Sequence, residues 1–187
     1  MKTFTPTLGA EMHWIQPDIL DNVQFELHSN NGVFETLEYK RGFFKEAVTV
    51  RSSFGNWNLK QVSFFNPDIA ILNLGTNVEV ATYSRNFWMG GQIEFTTKNK
   101  FSWKPLDFWH TEWGFENQQK SILYAIRFGN KERKFSNILK MQAIVEIKEH
   151  GYRYNTGELS LLLALGWYLM IKDYEDNAAT GAAATIS

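Results

Sequence analysis

The stretch LSLLLALGWYLMI, residues 159–171, constrains the fold of this chain more than any other part of it. Apart from Ser160, every side chain in it is apolar or aromatic, so a helix built from it has no wet face. A helix that is apolar all round must be buried all round. Its length of roughly 20 Å falls short of the ~30 Å hydrocarbon core of a bilayer. The stretch therefore predicts a buried central helix over residues 158–172 and no transmembrane segment.

Length and composition predict one domain with a lean towards β-structure. The chain has 187 residues, and no Pro-, Gly- or Ser-rich linker divides it, so we expect a single domain over 1–187. Aromatic residues make up 16% of the chain, with seven Trp, and aromatic side chains favour pleated, half-buried surfaces.

Charge and cysteine content bear on partners and location. The net charge of −1 gives no reason to expect nucleic acid as a partner. Cysteine is absent, which excludes disulfides, thiolate metal sites and cysteine catalysis and fits a reducing compartment. The N-terminal residues MKTFTPTLGAEMHWI lack the apolar core of a signal peptide, so we expect a cytoplasmic protein. Nothing in the composition indicates an oligomeric state.

Short runs with alternating apolar and polar residues, each closed by turn residues, fill most of the chain. The predicted strands are 23–28, 33–39, 44–51, 57–62, 69–73, 79–84, 92–96, 101–104, 111–116, 121–127 and 141–148, which makes about eleven or twelve. Asn31-Gly32 is the strongest hairpin signal among the turns. Residues 1–21 carry Pro6, Gly9 and Pro17 among scattered apolar positions, and we interpret them as an irregular segment.

The helix predicted at 158–172 follows all the strands. Asn155 is placed to cap it, and Glu158 three residues later could accept the Asn155 backbone N–H in return, which is a weak capping-box signal. Lys172 and the acidic run DYED mark its end, and we expect 177–187 to be a flexible tail. An all-apolar helix can be buried on every side only if the sheet closes around it. We therefore predict a mainly β fold, a closed antiparallel barrel of about 12 strands around a central hydrophobic C-terminal helix. Gly166 would let a sheet side chain approach the helix, and the buried indole of Trp167 should find a hydrogen-bond partner.

Several motifs resemble one protein family. They are FFNP (64–67), EVAT (79–82), GGQIE (90–94), WKP (103–105), FW (108–109), EWGF (112–115) and, most specifically, LLLALGWYLM (161–170) followed by an acidic and Ala-rich tail. Together they resemble the tubby C-terminal-like superfamily, which includes the phospholipid scramblases and the LURP-one-related proteins. The similarity covers roughly residues 22–176 and is closest to small, uncharacterised bacterial members. The resemblance implies a twelve-stranded barrel around a hydrophobic helix, in agreement with the packing argument.

A fold does not define a function, and the family's activities differ among its branches. Tubby domains bind phosphoinositide headgroups through Lys and Arg, and scramblases carry a calcium-binding segment and palmitoylated cysteines. This chain has no Cys, no acidic calcium loop and no match to the phosphoinositide motif. No family functional residue is therefore transferred to it, and we predict no catalytic, cofactor-binding or metal-binding residue and no cofactor.

Two local features remain as candidate sites. Lys131, Arg133, Lys134 and Lys140 lie between two predicted strands in a region of excess positive charge, and they are candidates for contact with an anionic surface, with a solvated loop as the plainer interpretation. The second is Asp107 to Glu112, where two carboxylates flank His110 as a potential acid/base group, although such residues are more often surface hydrogen-bonding groups. The four His residues show no metal-ligand spacing.

Two classes of function follow. The first is a non-catalytic barrel that binds anionic phospholipid or a partner protein through its outer surface, at the periphery of the membrane. The second is an enzyme or small-molecule carrier with a site near Asp107 to Glu112. Because the predicted helix fills the lumen, either site is expected on the outer surface or the rims.

Overall fold

The computed structural model describes residues 11–17, 23–40, 47–62, 67–86, 90–129, 141–151 and 154–184. It describes the side chains in those ranges except at 23, 40, 47 and 178–184. Its elements are β1 (Glu11–Ile15), β2 (Val23–Ser29), β3 (Gly32–Lys40), β4 (Ala47–Ser52), β5 (Gly55–Gln61), β6 (Ile69–Asn73), β7 (Glu79–Arg85), β8 (Gly91–Phe95), β9 (Lys100–Pro105), β10 (Glu112–Asn117), β11 (Tyr124–Phe128), β12 (Gln142–Ile147) and α1 (Thr156–Ala184).

The strands of the described residues form a closed antiparallel barrel. Each strand pairs with its neighbours in the chain, and β1 also pairs with β12, so the sheet has no free edge. Side chains alternate between lumen and surface, as in β5, where Trp57 and Leu59 are buried and their neighbours are not. The prediction of a mainly β closed barrel with a C-terminal helix is confirmed.

Helix α1 fills the lumen. Every residue from Glu158 to Ile171 is buried, including the carboxylate residue Glu158, which is 7% exposed. The indole of Trp167 stacks on that of Trp14, with ring centroids 6.1 Å apart, and meets Phe25 edge-on at 5.3 Å. The apolar stretch that lacks a wet face is therefore surrounded by strands, as its composition requires.

Helix and sheet approach each other closely at Gly166. A Cβ placed there would overlap the hydroxyl of Tyr124 and lie 3.0 Å from the ring of Trp103. The Tyr124 hydroxyl donates a 2.6 Å hydrogen bond to the carbonyl of Leu162, one turn earlier. The prediction that Gly166 admits a sheet side chain is confirmed.

The expectation that the Trp167 indole finds a hydrogen-bond partner is wrong within the described part of the chain. Its Nε1 is buried without a partner there. An unmade hydrogen bond of this kind costs about 1–3 kcal/mol. The aromatic contacts of Trp167 with Trp14 and Phe25 offset that cost through burial and ring packing.

The predicted irregular segment 1–21 contains a strand, which corrects the prediction. In β1, Met12 and Trp14 are fully buried while Glu11 is exposed, and the strand closes the barrel between β12 and β2. The alternation is short and lies between Gly9 and Pro17, so its signal is weak without the two partner strands. Residues 1–10 and 18–22 lie outside the described residues.

The helix is longer than predicted at both ends. It runs over Thr156–Ala184, so 177–184 are helical where a flexible tail was expected, and 185–187 are not described. Alanine is the best helix former, which explains the continuation through an Ala-rich sequence. At the start, the Asn155 side chain accepts the Gly157 N–H at 2.9 Å, as predicted for the cap. Glu158 does not complete the predicted capping box. Its carboxylate instead accepts hydrogen bonds from Thr97 and Asn99.

An up-and-down barrel places alternate connections at opposite ends. The helix-start rim carries the connections 30–31, 53–54, 74–78, 96–99 and 118–123. The helix-exit rim carries the ends of the strands that are joined by residues 16–22, 41–46, 62–68, 86–90, 106–111 and 129–141. Helix α1 begins beside Asn99 and leaves the barrel beside Arg85, which pairs with Asp173. In the described part of the chain, no helix combines the length and apolarity needed to cross a membrane.

Candidate functional site

The predicted anionic-surface residues Lys131, Arg133, Lys134 and Lys140 all lie outside the described residues. The ends of their connection are described: β11 finishes at Phe128 and β12 starts at Gln142. The Gly129 N–H donates to the Gln142 carbonyl at 3.1 Å, so the connection leaves and rejoins the barrel at the helix-exit rim. Contact between this connection and an anionic surface stays a prediction.

The second predicted site, Asp107 to Glu112, forms the connection between β9 and β10 at the same rim. Asp107 Oδ1 accepts the backbone N–H groups of Thr111 at 2.8 Å and Glu112 at 3.0 Å, and Oδ2 accepts the Thr111 hydroxyl at 2.5 Å. These hydrogen bonds, the Thr111 hydroxyl foremost, lower the pKa of Asp107. Asp107 is therefore an ionised residue that holds the hairpin in shape.

His110 does not join the two carboxylates into an acid/base group. Its backbone has a positive φ of 55°, and its carbonyl accepts the indole N–H of Trp113 at 3.0 Å. The imidazole is exposed and meets the Trp113 ring at 71°, with centroids 5.9 Å apart. Among the described residues, no hydrogen bond links its ring to Asp107 or Glu112. The structure brings these residues together as a turn.

The hairpin presents two aromatic side chains that sequence reasoning did not single out as a surface. Phe108 is 86% exposed and Trp109 is 79% exposed, and their rings meet edge-on with centroids 5.3 Å apart. Side chains of this size are normally at least partly buried. The available signal was an Asp followed four residues later by Thr, a spacing at which one side chain can close a turn and expose the residues between. Phe108 and Trp109 are called the aromatic tip below.

A cleft lies beside the aromatic tip, between α1 and the ends of β10 and β11. Its volume is about 750 Å³, within the usual range for small-molecule sites. Its walls are formed by His110, Thr111, Trp113, Phe128, Met170, Asp173, Tyr174 and Asn177. We call it the rim cleft. The predicted site near Asp107 to Glu112 includes His110 and Thr111 but none of the helix residues. Three of these, Asp173, Tyr174 and Asn177, lie beyond the predicted helix end at Lys172.

Aromatic residues of the rim cleft pack against one another and against the core. Trp113 stacks on Trp103 with centroids 5.5 Å apart, and Phe128 meets the lumen residue Trp167 at 5.7 Å. Tyr174 lies against Phe128 with centroids 6.0 Å apart, yet Phe128 and Tyr174 remain 44% and 56% exposed. The cleft therefore presents aromatic surface to solvent on a support that continues into the core.

One ion pair closes the side of the cleft. Asp173 pairs with Arg85 at the end of β7, and Arg85 Nη1 lies 3.9 Å from Asp176 Oδ2. Burial raises the pKa of Asp173, and Arg85 offsets part of that increase. Arg85 also lines a second cavity of about 200 Å³ on the other side of α1. The acidic run predicted to end the helix is thus anchored to the barrel.

A buried polar group inside the lumen was also missed. Glu35 is fully buried, and its Oε1 accepts the Ser160 hydroxyl at 2.9 Å, while Ser52 Oγ lies 3.0 Å from Ser160 Oγ. Burial raises the pKa of Glu35 well above its usual range, and the Ser160 hydrogen bond only partly counters this. Glu35 alternates with the buried residues Leu37 and Tyr39 along β3, so its side chain points into the lumen. Its burial leaves it no access to a substrate.

Comparisons and metal-ligand geometry add no further site. Within the described residues, no group of three or more His, Asp or Glu side chains is arranged to hold a metal ion. No protein-family profile, curated protein or solved structure matches this chain.

Proposed function

We propose that this chain is a non-catalytic barrel that contacts an anionic phospholipid surface through its helix-exit rim. The observation that carries the proposal is the aromatic tip, where Phe108 and Trp109 are almost fully exposed. Trp combines an apolar ring with a polar N–H and favours the boundary between water and lipid. The corresponding location is cytoplasmic and peripheral to the membrane.

The hydrogen bonds that hold the aromatic tip support a role for it in binding. Asp107 fixes the hairpin with three hydrogen bonds, so the two aromatic side chains are presented on an ordered backbone. A preorganised surface loses less conformational entropy when it binds. The tip is therefore suited to insertion at a lipid interface.

Basic residues provide the electrostatic part of the proposal. Lys131, Arg133, Lys134 and Lys140 belong to a connection that starts and ends at the same rim. Each basic residue near an anionic membrane contributes about 1 kcal/mol. The carboxylates of Asp173 and Asp176 at this rim oppose the attraction. We therefore expect vesicle binding to have a salt-dependent contribution from the basic residues and a salt-independent contribution from the aromatic tip.

The resemblance to the tubby C-terminal-like superfamily supports the proposal without supplying a residue. The fold that it implies, a barrel of twelve strands around a C-terminal helix, is the fold of the described residues. Membership of the superfamily remains part of the proposal. A partner protein that covers the aromatic tip is the other reading of the same surface.

Vesicle co-sedimentation tests the lipid proposal. Wild-type protein should bind vesicles of phosphatidylcholine with phosphatidylserine more strongly at low than at physiological salt. The F108A/W109A variant should lose most binding at both salt concentrations, and charge reversal at Lys131, Arg133 and Lys134 should remove the salt-dependent part. Val78→Ala is the matched control, because Val78 is 61% exposed at the helix-start rim.

Either of two results would overturn the lipid proposal. One is the absence of binding to anionic vesicles at low salt. The other is binding that the F108A/W109A variant retains in full. A different outcome is that the wild type fails to co-sediment with vesicles and yet binds a defined protein that the F108A/W109A variant does not bind. In that case a partner protein, and not a lipid surface, covers the aromatic tip.

The rim cleft supports a second candidate function, a small-molecule carrier. Two residues of the predicted range Asp107 to Glu112, His110 and Thr111, line the cleft, and its volume suits a small ligand. A thermal-shift screen of apolar and amphipathic molecules tests this candidate. A ligand that raises the melting temperature should lose its effect when Met170, at the cleft wall, is replaced by Phe to fill the space. A screen without any stabilising ligand would remove the candidate.

A further inference from the structure

The rim cleft has a chemical character beyond its size. Three aromatic rings line it, those of Trp113, Phe128 and Tyr174, together with the imidazole of His110. Asp173 contributes the carboxylate, and no Lys or Arg belongs to the described wall. Aromatic faces attract cations through the ring quadrupole, and a nearby carboxylate adds to that attraction. An anionic ligand would find neither a counter-charge nor a favourable ring face there.

Asp173 retains capacity for a ligand despite its ion pair. Arg85 donates to Oδ1, and no described residue donates a hydrogen bond to Oδ2. The side chain is 16% exposed and lines the cleft, while its ion pair with Arg85 holds it to the barrel. Asp176, which is 62% exposed, adds negative charge one helical turn further on. Asp173 and Asp176 together carry one negative charge more than the Arg85 guanidinium that they share, which favours a cation in the cleft.

We propose that the rim cleft binds an alkylated ammonium cation, with Trp113, Phe128 and Tyr174 around the cation and Asp173 as its counter-ion. The cleft of about 750 Å³ exceeds the size of such a group, so an apolar body attached to the cation fits along Phe128 and Met170. The ammonium group belongs either to a free amine such as choline or to a phospholipid headgroup. The inference names the ligand class for the second candidate function and rests on that function.

The test compares cations with neutral or anionic partners of similar shape. Choline is titrated against 3,3-dimethyl-1-butanol, its uncharged analogue, and monomeric dihexanoyl phosphatidylcholine against dihexanoyl phosphatidylglycerol. Binding is followed by NMR shifts of the Trp113 indole N–H and by calorimetry. In whichever pair binds, we expect the ammonium compound to bind about tenfold more tightly. Choline binding identifies a free amine as sufficient, and binding of the phosphatidylcholine alone identifies a lipid headgroup.

Variants of Tyr174 separate ring chemistry from packing. Tyr174→Leu keeps apolar volume but removes the aromatic face, and it should weaken binding of the ammonium compound about tenfold. Tyr174→Phe keeps the face and should bind like wild type. The 56% exposure of Tyr174 means that both variants should fold. Asp173→Asn should weaken binding as well, and if loss of the Arg85 pair unfolds this variant, the Tyr174 pair decides.

Three results would overturn the inference. The first is equal affinity within both pairs, that is, for choline and its neutral analogue and for the two lipids. The second is the absence of binding by either ammonium compound. The third is unchanged binding of the ammonium compound by Tyr174→Leu. Equal affinity would leave the carrier function intact as a plain apolar site. The thermal-shift screen therefore tests the carrier function separately from the cation.

Discussion

The two rims of the barrel differ in what their side chains do. At the helix-start rim, Glu158 accepts hydrogen bonds from Thr97 and Asn99, and Asn155 caps the helix, so polar groups are matched within the chain. At the helix-exit rim, the aromatic tip is exposed beside a cleft. Satisfied polar groups stabilise a fold, whereas exposed aromatic surface is available to a partner. Among the described residues, the most exposed aromatic side chains lie at the helix-exit rim, which supports the proposed binding there.

Removal of the helix should have the largest effect, because both rims are built around it. Each large apolar side chain of 159–171 contributes about 1.5–3 kcal/mol when buried, and their sum exceeds the 5–15 kcal/mol stability of a typical domain. Deletion of residues 158–187 should abolish folding, as measured by circular dichroism and thermal melting. Deletion of 178–187 is the control and should leave a cooperative transition. A soluble, cooperatively melting 1–157 fragment would contradict the central-helix account.

Substitution at Gly166 should have the next largest effect. A Cβ there would overlap the Tyr124 hydroxyl, which is fixed by its bond to the Leu162 carbonyl, and would press on Trp103. We expect Gly166→Ala to lower the free energy of unfolding by about 3 kcal/mol in urea titrations. Gly75→Ala is the matched control, since a Cβ there meets only Asn73 Oδ1 at 3.5 Å. Equal stability of the two variants would show that helix and sheet are not packed closely at Gly166.

Glu35 provides a pH-dependent prediction inside the lumen. Because its folded pKa is raised, the native state holds the proton more tightly than the unfolded state. Its contribution is therefore fully present below the unfolded pKa of about 4.3 and is lost as pH rises towards the folded pKa, at about 1.4 kcal/mol per unit of elevation. Glu35→Gln mimics the protonated form, so it should be more stable than wild type at pH 8 and similar to it at pH 4.

Urea titrations of both proteins across that pH range measure the difference. Asp173 also has a raised pKa, but it is present in both proteins, so the difference between their curves isolates Glu35. Parallel stability curves for wild type and Glu35→Gln would show that Glu35 is ionised or hydrated in the folded protein.

The smallest expected effect concerns the hairpin that carries the aromatic tip. Asp107→Ala removes three hydrogen bonds from an exposed turn, which should lower the free energy of unfolding only slightly. Because the tip then loses its ordered backbone, vesicle binding should fall about threefold. Glu79→Gln, an exposed carboxylate near the helix-start rim, should leave vesicle binding unchanged. Unchanged vesicle binding by Asp107→Ala would show that the aromatic tip does not need the Asp107 hydrogen bonds in order to bind.

The architecture could be predicted from the sequence because it depends on local patterns. Alternation predicts strands, and a helix without a polar face predicts a closed sheet around it. The strand at Met12 and Trp14 was missed because its meaning depends on pairing with β12, more than a hundred residues away. The helix end was misplaced because Asp173, which looked like a stop signal, is paired with Arg85 on β7. Both errors concern contacts that are remote in the sequence.

The site was harder to predict than the fold for the same reason. Asp107, His110 and Glu112 suggested an acid/base group, but Asp107 directs its hydrogen bonds to the backbone of the turn. The rim cleft joins His110 on a hairpin to Tyr174 on the helix, and no local pattern links these positions. The aromatic residues were visible in the sequence, but whether an aromatic side chain is buried or exposed depends on the closure of the barrel.

Hydrogen exchange in the presence of vesicles tests the difference between the rims most directly. Amide exchange is compared with and without vesicles of phosphatidylcholine and phosphatidylserine at low salt. The account predicts added protection in the peptides that contain 106–111 and the helix from 173 onwards, with no change at the helix-start connections 30–31, 53–54 and 74–78. Protection at the helix-start rim, or no protection anywhere in protein that co-sediments with vesicles, would contradict the assignment of binding to the helix-exit rim.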